Sequence, residues 1–423
     1  MQPPSADSSR APAAGRDLCA ARAGARAFRL AVLLVLAMIP ALASAACGQS
    51  AVVPPGAAAA GSSPGSSASG SSHPSPTGSG ASQATARAAT AAAAFDSFDA
   101  AFYRRFKKHR TYFVTSTAGG YADFWKQAEM IEMVEDAYDS TRDPRYKEMI
   151  VDLETQFLWY YGKTWTNRIW NDDITWAVIA ALRAYEITGD RQYLVLAQTN
   201  FDAMYARAWT SEFGGGMWWT TAKTQKDVTT TAPAAVAACM LFEDVHDAAY
   251  LAKAKTMYAW LRANLYDAHT GAVYDHLSHG ANGKGTVVFP TPFTYNQGTF
   301  IGAANLLHRL TGVQSYAQDA RRTLTWTQKN LTVHGILRSE AGAGIQNGGG
   351  FKGIFIRYAV RFARDDHLTV FEPWFALNAA AAWSHRDARG LIGQAWARPT
   401  PGGLLYSWDC SAGVVLLEVL SAP

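Results

Sequence analysis

The chain has 423 residues, 49% hydrophobic, 17% charged and 12% aromatic, with a formal net charge of +4. Setting aside residues 1–46, which carry five Arg and two Asp, leaves a charge of +1. A nearly neutral chain of this length can bury a large core, and it offers no electrostatic basis for binding nucleic acid.

Residues 1–46 read as a secretory signal. Arg10, Arg16, Arg22, Arg26 and Arg29 precede an apolar run, Leu30–Ile39, and small residues follow as Ala41-Leu42-Ala43-Ser44-Ala45-Ala46. The apolar run is shorter than the roughly 20 residues of a membrane-spanning helix. Cys47 stands directly after, where a bacterial lipoprotein signal carries its lipid-accepting Cys, although Ser44 replaces the usual apolar residue three positions earlier. Lipid anchoring at Cys47 and free secretion both fit. Either way the expected location is extracellular, and any membrane contact runs through the N-terminal lipid alone. Residues 47–92 are rich in Gly, Ser, Ala and Pro and predict a disordered linker.

Residues 93–423 are expected to form one helical domain. Four segments share a recurring turn: Thr141–Tyr146, Thr188–Tyr193, Asp244–Tyr250 and Thr311–Tyr316. Their tyrosines, Tyr146, Tyr193, Tyr250 and Tyr316, recur at intervals of 47, 57 and 66 residues, a period that suits one helical hairpin per unit with variable loops at one end. Gly189 and Gly312 can end a helix in the left-handed conformation, and Asp143 and Asp190 can cap the next. After Asp173, the residues Ile174, Ala177, Val178, Ala181, Leu182 and Tyr185 form an apolar helical stripe. Strand signals are few, at Gly271–Tyr274 and Val287–Phe289. A ring of helices inside a ring fits this pattern, as does an open superhelical array. The two cysteines of this region, Cys239 and Cys410, permit a disulfide on export and equally fit two buried thiols.

The sharpest chemical candidate is Trp170-Asn171-Asp172-Asp173-Ile174-Thr175-Trp176. Capping by Asn171 and a favourable helix dipole account for acidic residues here on generic grounds. Two facts point further. A cap needs one residue, and a second adjacent charge adds repulsion; the flanking Trp rings offer faces on which sugars stack. Glycoside hydrolysis needs two carboxyl groups in different protonation states, and burial with mutual repulsion would leave one acid and one anion.

Three further clusters stand at predicted helix starts. They are Gly214-Gly215-Gly216-Met217-Trp218-Trp219, Pro292–Gly298 with Tyr295, Asn296 and Gln297, and Gly348–Tyr358 with Phe351 and Lys352. Asn and Gln both donate and accept, which suits vicinal hydroxyls. Each alone reads as a structural loop; together they suggest loops converging on one mouth of a ring. Asp275–His279 reads as a polar loop and Asp365-Asp366-His367 as a solvated turn. Residues 93–423 contain no phosphate loop and no Gly-x-Ser-x-Gly elbow.

In these motifs the sequence resembles glycoside hydrolase family 76, the endo-α-1,6-mannanases and their fungal cell-wall relatives, over most of residues 95–420. The resemblance rests on the Asp172-Asp173 pair, Gly214–Trp219, Tyr295–Gly302 and Phe351–Tyr358, in that order along the chain. It implies an all-α (α/α)6 barrel and retaining hydrolysis of α-1,6-mannosidic bonds, without metal or other cofactor. It also implies Asp172 as nucleophile and Asp173 as general acid/base. Trp170, Trp218, Trp219, Tyr295, Asn296, Gln297, Phe351 and Lys352 are the substrate-binding candidates. The expected partner is an α-mannan polysaccharide or oligosaccharide, bound by a monomer. Two positions depart from the family pattern: Thr231, where Asn is common, and Gly348–Gly350, where an acidic residue is frequent. A transglycosylase acting on the same glycan and a non-catalytic surface glycan-binding protein are the alternatives.

Overall fold

A computed structural model describes residues 77–422, apart from 281–282, 284 and 341–346. The signal segment and Cys47 lie outside the described residues. The linker expected over 47–92 is corrected at its C-terminal end, because helix α1 (Thr77–Phe102) begins inside it. The run from Ala84 to Ala94 is mostly Ala, the best helix former, and Ala91, Ala94, Phe95, Phe98 and Phe102 are buried. The rest of the expected linker, 47–76, lies outside the described residues.

Eleven more α-helices follow among the described residues: α2 (Phe124–Thr141), α3 (Pro144–Tyr161), α4 (Asn171–Thr188), α5 (Arg191–Ala208), α6 (Val228–Val245), α7 (Ala248–Asn264), α8 (Thr294–Thr311), α9 (Gln314–Asn330), α10 (Phe351–Asp365), α11 (Glu372–Ser384) and α12 (Ser407–Ser421). The even-numbered helices pack each against the next, and α12 returns to α2, which closes an inner ring. The odd-numbered helices lie outside: α3, α5, α7 and α9 each on the inner helix before it, and α1 on α12. The molecule is an (α/α)6 barrel, and closure excludes the open superhelix.

Position in the ring explains the composition of each helix. Helix α4 is buried from Ile174 to Ala184 on nearly every side, so its apolar stripe is only part of a surface enclosed by neighbours. Helix α8 meets α10 closely because Gly298 and Gly302 lie at the contact. A Cβ on Gly298 would stand 2.4 Å from the Phe355 Cα, and one on Gly302 would stand 2.4 Å from the Tyr358 ring.

The inner-to-outer connections are the short recurring turns. Gly189 and Gly312 end α4 and α8 in the left-handed region, and Arg142 and His246 do the same after α2 and α6. Asp143, Asp190 and Asp247 each accept a hydrogen bond from the backbone N–H two residues on. The tyrosines that follow, Tyr146, Tyr193 and Tyr250, are buried against the hairpins.

The outer-to-inner connections carry the strands. An antiparallel sheet β1 (Tyr103–Lys107), β2 (Arg110–Ser116) and β3 (Gly119–Tyr121) precedes α2. Strand β4 (Gln225–Asp227) leads into α6 and pairs with β5 (His276–His279), which pairs with β6 (Thr286–Phe289) before α8. The segment expected as a polar loop at Asp275–His279 is therefore the central strand of a small sheet. A two-stranded ribbon, β7 (Thr332–Val333) and β8 (Ile336–Leu337), lies between α9 and α10. Helix α8 starts at Thr294, inside the Pro292–Gly298 cluster.

Arginines and acidic side chains tie the inner helices together inside the ring. Arg183 of α4 reaches Asp136 at 2.9 Å, while Arg357 of α10 reaches Asp136 at 2.8 Å and Glu129 at 3.0 Å. Cys239 and Cys410 are free thiols, both buried.

Candidate active site

All six inner helices begin at the end where the strands lie, so six positive dipole ends face one mouth. A cleft of about 910 Å³ opens there, lined by residues from the starts of α2, α4, α6, α8 and α10 and from the loops before them.

Asp172 and Asp173 lie in the first turn of α4 and both line this cleft. The start of α4 is held from outside the helix. Asn171 is the first helical residue rather than the expected N-cap, a position taken by Trp170. The Asn171 backbone N–H donates to the Trp219 carbonyl at 2.7 Å, and its Nδ2 donates to the Trp218 carbonyl at 2.7 Å. Its Oδ1 accepts from Arg207 Nε at 2.7 Å. A backbone bridge between Trp170 and Thr220 completes the seam. The carboxylate pair is thus registered on the Gly214–Trp219 loop.

That loop is knotted by Lys226. Its buried ammonium donates to the carbonyls of Thr210, Glu212 and Gly215 and to the Thr210 hydroxyl, at 2.7–2.9 Å. Gly216 has φ +83°, and a Cβ there would strike the Trp260 ring at 2.4 Å, so the loop needs Gly at this point.

The charge states follow from burial. Asp172 is pushed well above the usual carboxylate range, first by desolvation, then by the charges of Asp173 and Asp227. Its Oδ1 has no hydrogen-bond partner, and the Trp219 indole N–H lies close by without completing a bond. Desolvation pushes Asp173 up to about 7, against the opposing pull of Arg168 and, more weakly, Lys126. The two carboxyls therefore retain a proton between them near neutral pH.

Besides Asp123, which pairs with Lys126 at 3.1 Å, two more carboxylates share the cleft. Asp227 is buried and caps α6 by accepting from Thr230 N at 3.0 Å, which leaves its Oδ2 unpartnered. Asp275 accepts from Asn296 Nδ2 at 2.8 Å, and its Oδ2 lies 2.7 Å from His276 Nδ1. Sequence reading missed both, because the first has the signature of an ordinary helix cap and the second that of a polar loop. It also missed Arg168, Tyr121, Tyr160 and Tyr161, which line the cleft from the loop before α4, from β3 and from the end of α3.

Of the candidate binding residues, Trp170, Trp219, Tyr295 and Phe351 line the cleft, with the Tyr295 and Phe351 rings 4.2 Å apart. Asn296 is buried beside Asp275, with its Oδ1 unpartnered. The remaining three are corrected to interior positions. Trp218 is 2% exposed, donates to Thr210 Oγ1 at 2.9 Å and carries Lys226 against its ring. Gln297 is fully used by backbone groups, accepting from the Val273 N–H at 2.9 Å and donating to the carbonyls of Val273 at 2.7 Å and Phe293 at 3.3 Å. Lys352 is buried, donates to the Gln394 carbonyl and packs 4.3 Å from the Trp396 ring. In each case the neighbouring aromatic of the motif faces the cleft, and helix or strand geometry turns the next side chain inward. Thr231 also faces inward, its hydroxyl accepting from Met217 N at 3.2 Å. Among the described residues no group of three or more His, Cys, Asp and Glu is disposed to hold a metal ion.

The family model described as Glycosyl hydrolase family 76 matches residues 85–422. The fold is similar to that of a family 76 α-1,6-mannanase from Salegentibacter sp. HEL1_6, at 28% identity and a TM-score of 0.73, over 79% of this chain and 98% of that one. An inactive variant of that mannanase, with two consecutive aspartates replaced by Asn, was solved in complex with α-1,6-mannotriose. A Listeria innocua protein is similar at 25% identity and a TM-score of 0.71, over 79% of this chain and 96% of that one. A family 76 mannosidase from Bacteroides thetaiotaomicron VPI-5482 shares the fold at 19% identity and a TM-score of 0.70, over 80% of this chain and 98% of that one. No curated protein sequence matches the chain.

Proposed function

We propose that this chain, which belongs to glycosyl hydrolase family 76, cleaves α-1,6-mannosidic bonds within an α-mannan backbone with retention of configuration. The observation that carries this reading is the pair of first-turn carboxyls, Asp172 and Asp173, side by side in an aromatic cleft that raises both pKa values. The 28%-identical mannanase supports it, since its inactive forms carry changes at two consecutive aspartates.

In the proposed mechanism Asp172 forms a bond from its carboxylate oxygen to the anomeric carbon, while Asp173 gives its proton to the departing glycosidic oxygen. Water then attacks the glycosyl-enzyme, Asp173 takes its proton, and the bond to Asp172 breaks. One proton on the pair is what this chemistry requires. Trp170, Trp219, Tyr295 and Phe351 supply apolar faces for sugar rings, and the carboxylates Asp227 and Asp275 accept from hydroxyls.

One observation favours a second reading in which the roles exchange. Asp172 is the more deeply buried and its Oδ1 has no hydrogen-bond partner, which disposes it to hold the shared proton in the free enzyme. Two measurements separate these possibilities. Linear α-1,6-mannan should be cut to oligosaccharides by the parent, and Asp172→Asn and Asp173→Asn should each lose at least ~10³-fold of that rate. An intact parent that leaves the mannan uncut refutes the activity; products longer than a starting oligosaccharide indicate transfer in place of hydrolysis. With an activated aryl α-mannoside and azide, the acid/base variant should yield the α-azide and the nucleophile variant the β-azide. The β-azide from Asp173→Asn would establish the exchanged roles.

The same reading places the protein outside the cell as a monomer, secreted or anchored through Cys47. Radiolabelled palmitate recovered in the membrane fraction of the parent, and lost in Cys47→Ala, would establish the anchor.

A further inference from the structure

The cleft does not end at its aromatic lining. Tyr121 and Tyr160 form one wall, stacked at 4.5 Å with an interplanar angle of 16°, and Tyr112 stacks on the far side of Tyr121 at 4.8 Å. Outward from Tyr160 is Trp159, its ring centroid 6.5 Å away. Trp159 is 57% exposed and Tyr160 55%, unusual for two adjacent large aromatics at a helix end. The Arg110 guanidinium from β2 lies 3.9 Å from the Trp159 ring. Among the described residues this guanidinium pairs with no carboxylate.

We propose that Trp159 and Arg110 form an outer subsite for a mannan chain that leaves the cleft past Tyr160. The inference rests on the reading that the cleft takes an α-mannan. A cleft of about 910 Å³ holds a short oligosaccharide, so a longer chain must cross the rim. The stack of Tyr112, Tyr121 and Tyr160 fixes that rim in place. Trp159 then presents a rigid apolar face to the C–H side of a pyranose, and Arg110 presents donors to its hydroxyls without first giving up an ion pair. The feature to which this corresponds in function is a preference for long chains over short ones.

The test compares two substrates. Trp159→Ala should lower kcat/KM on polymeric α-1,6-mannan roughly five- to tenfold, the loss of one stacking contact, while leaving α-1,6-mannotriose cleavage unchanged. Trp159→Phe should restore most of the difference, and Arg110→Gln should lower polymer cleavage alone by a smaller factor. Equal effects on both substrates, or an unaffected polymer rate, would overturn the subsite. Affinity electrophoresis of the folded Asp172→Asn/Asp173→Asn protein in a mannan gel reads binding without turnover. Trp159→Ala in that background should weaken retardation, and unchanged retardation would also overturn the proposal. The binding arm decides the subsite even if the parent cuts neither substrate, an outcome that would count against the hydrolytic reading alone.

Discussion

Arg168 is the strongest cationic influence on Asp173, and it belongs to the loop that delivers the chain into α4. Its guanidinium lies 4.5 Å from the Phe124 ring and 4.8 Å from that of Tyr161, so aromatic packing holds it in position. Because a nearby cation favours the carboxylate, Arg168→Gln should raise the Asp173 pKa. The active form carries one proton on the pair, and the acid limb of kcat/KM, where the pair sheds the first of its two protons, should then move towards higher pH. A pH profile on linear mannan measures this, and an unmoved limb would dissociate Arg168 from the pair. At this scale the sequence was informative where the residues were adjacent: two neighbouring aspartates between tryptophans cannot be explained by one cap. It was silent on Asp227, which stands 54 residues after Asp173 and caps a helix like any other Asp at such a point. The chain contains no local sign that folding brings the two together.

Elements were legible to the degree that their signals are local. The left-handed glycines and capping aspartates of the recurring turn are read from a few consecutive residues, and each forms as the spacing implies. Helix α1 and the β1–β3 sheet were not legible. The first shares its composition with a tether, and the second is shaped by packing on α3 rather than by an alternating pattern. Two element-level predictions follow from close contacts. Gly298→Ala should destabilise the fold by ~2–3 kcal/mol, more than Gly302→Ala, because the former would meet backbone at Phe355 and the latter a side chain at Tyr358 that can shift. Chemical denaturation of the two variants would rank them, and the reverse order would contradict the packing argument. Lys226→Met leaves the carbonyls of Thr210, Glu212 and Gly215 without their donor. It should cost ~2–4 kcal/mol and lower kcat, since the same loop carries Trp219 and registers the start of α4. Denaturation and mannan-cleavage assays on one preparation check both effects.

The whole molecule stores acidic groups in its interior. Burial raises Glu129 and Glu154 to about 8 and lifts Glu135 well above its usual range; neither Glu135 oxygen is hydrogen-bonded, and the nearest cation, Arg183 Nε, is 3.6 Å from Oε2. In the unfolded chain these groups titrate near 4.5, so above that pH the folded state binds more protons than the unfolded. The stability these groups allow should therefore be full below about pH 4.5 and decline as pH rises towards 8. Glu154→Gln, which replaces a group that must be neutral to stay buried, should raise Tm by a few degrees at pH 8 and leave it nearly unchanged at pH 5. Thermal melts at the two pH values test the sign.

The pairing of α1 with α12 has a consequence for how the ring comes to exist. Each of α2, α4, α6 and α8 meets its outer partner immediately downstream, whereas α12 must wait for a helix more than 300 residues away in sequence. The intermediate hairpins can assemble from either end, but the seam shuts only when both extremities of the domain meet, at the cost of a very long loop closure. The barrel is therefore a clasp whose two halves are the first and last helices. A permuted chain that joins α12 directly to α1 and opens elsewhere in a short turn should refold faster than the natural order, with the same six helix starts facing the same mouth.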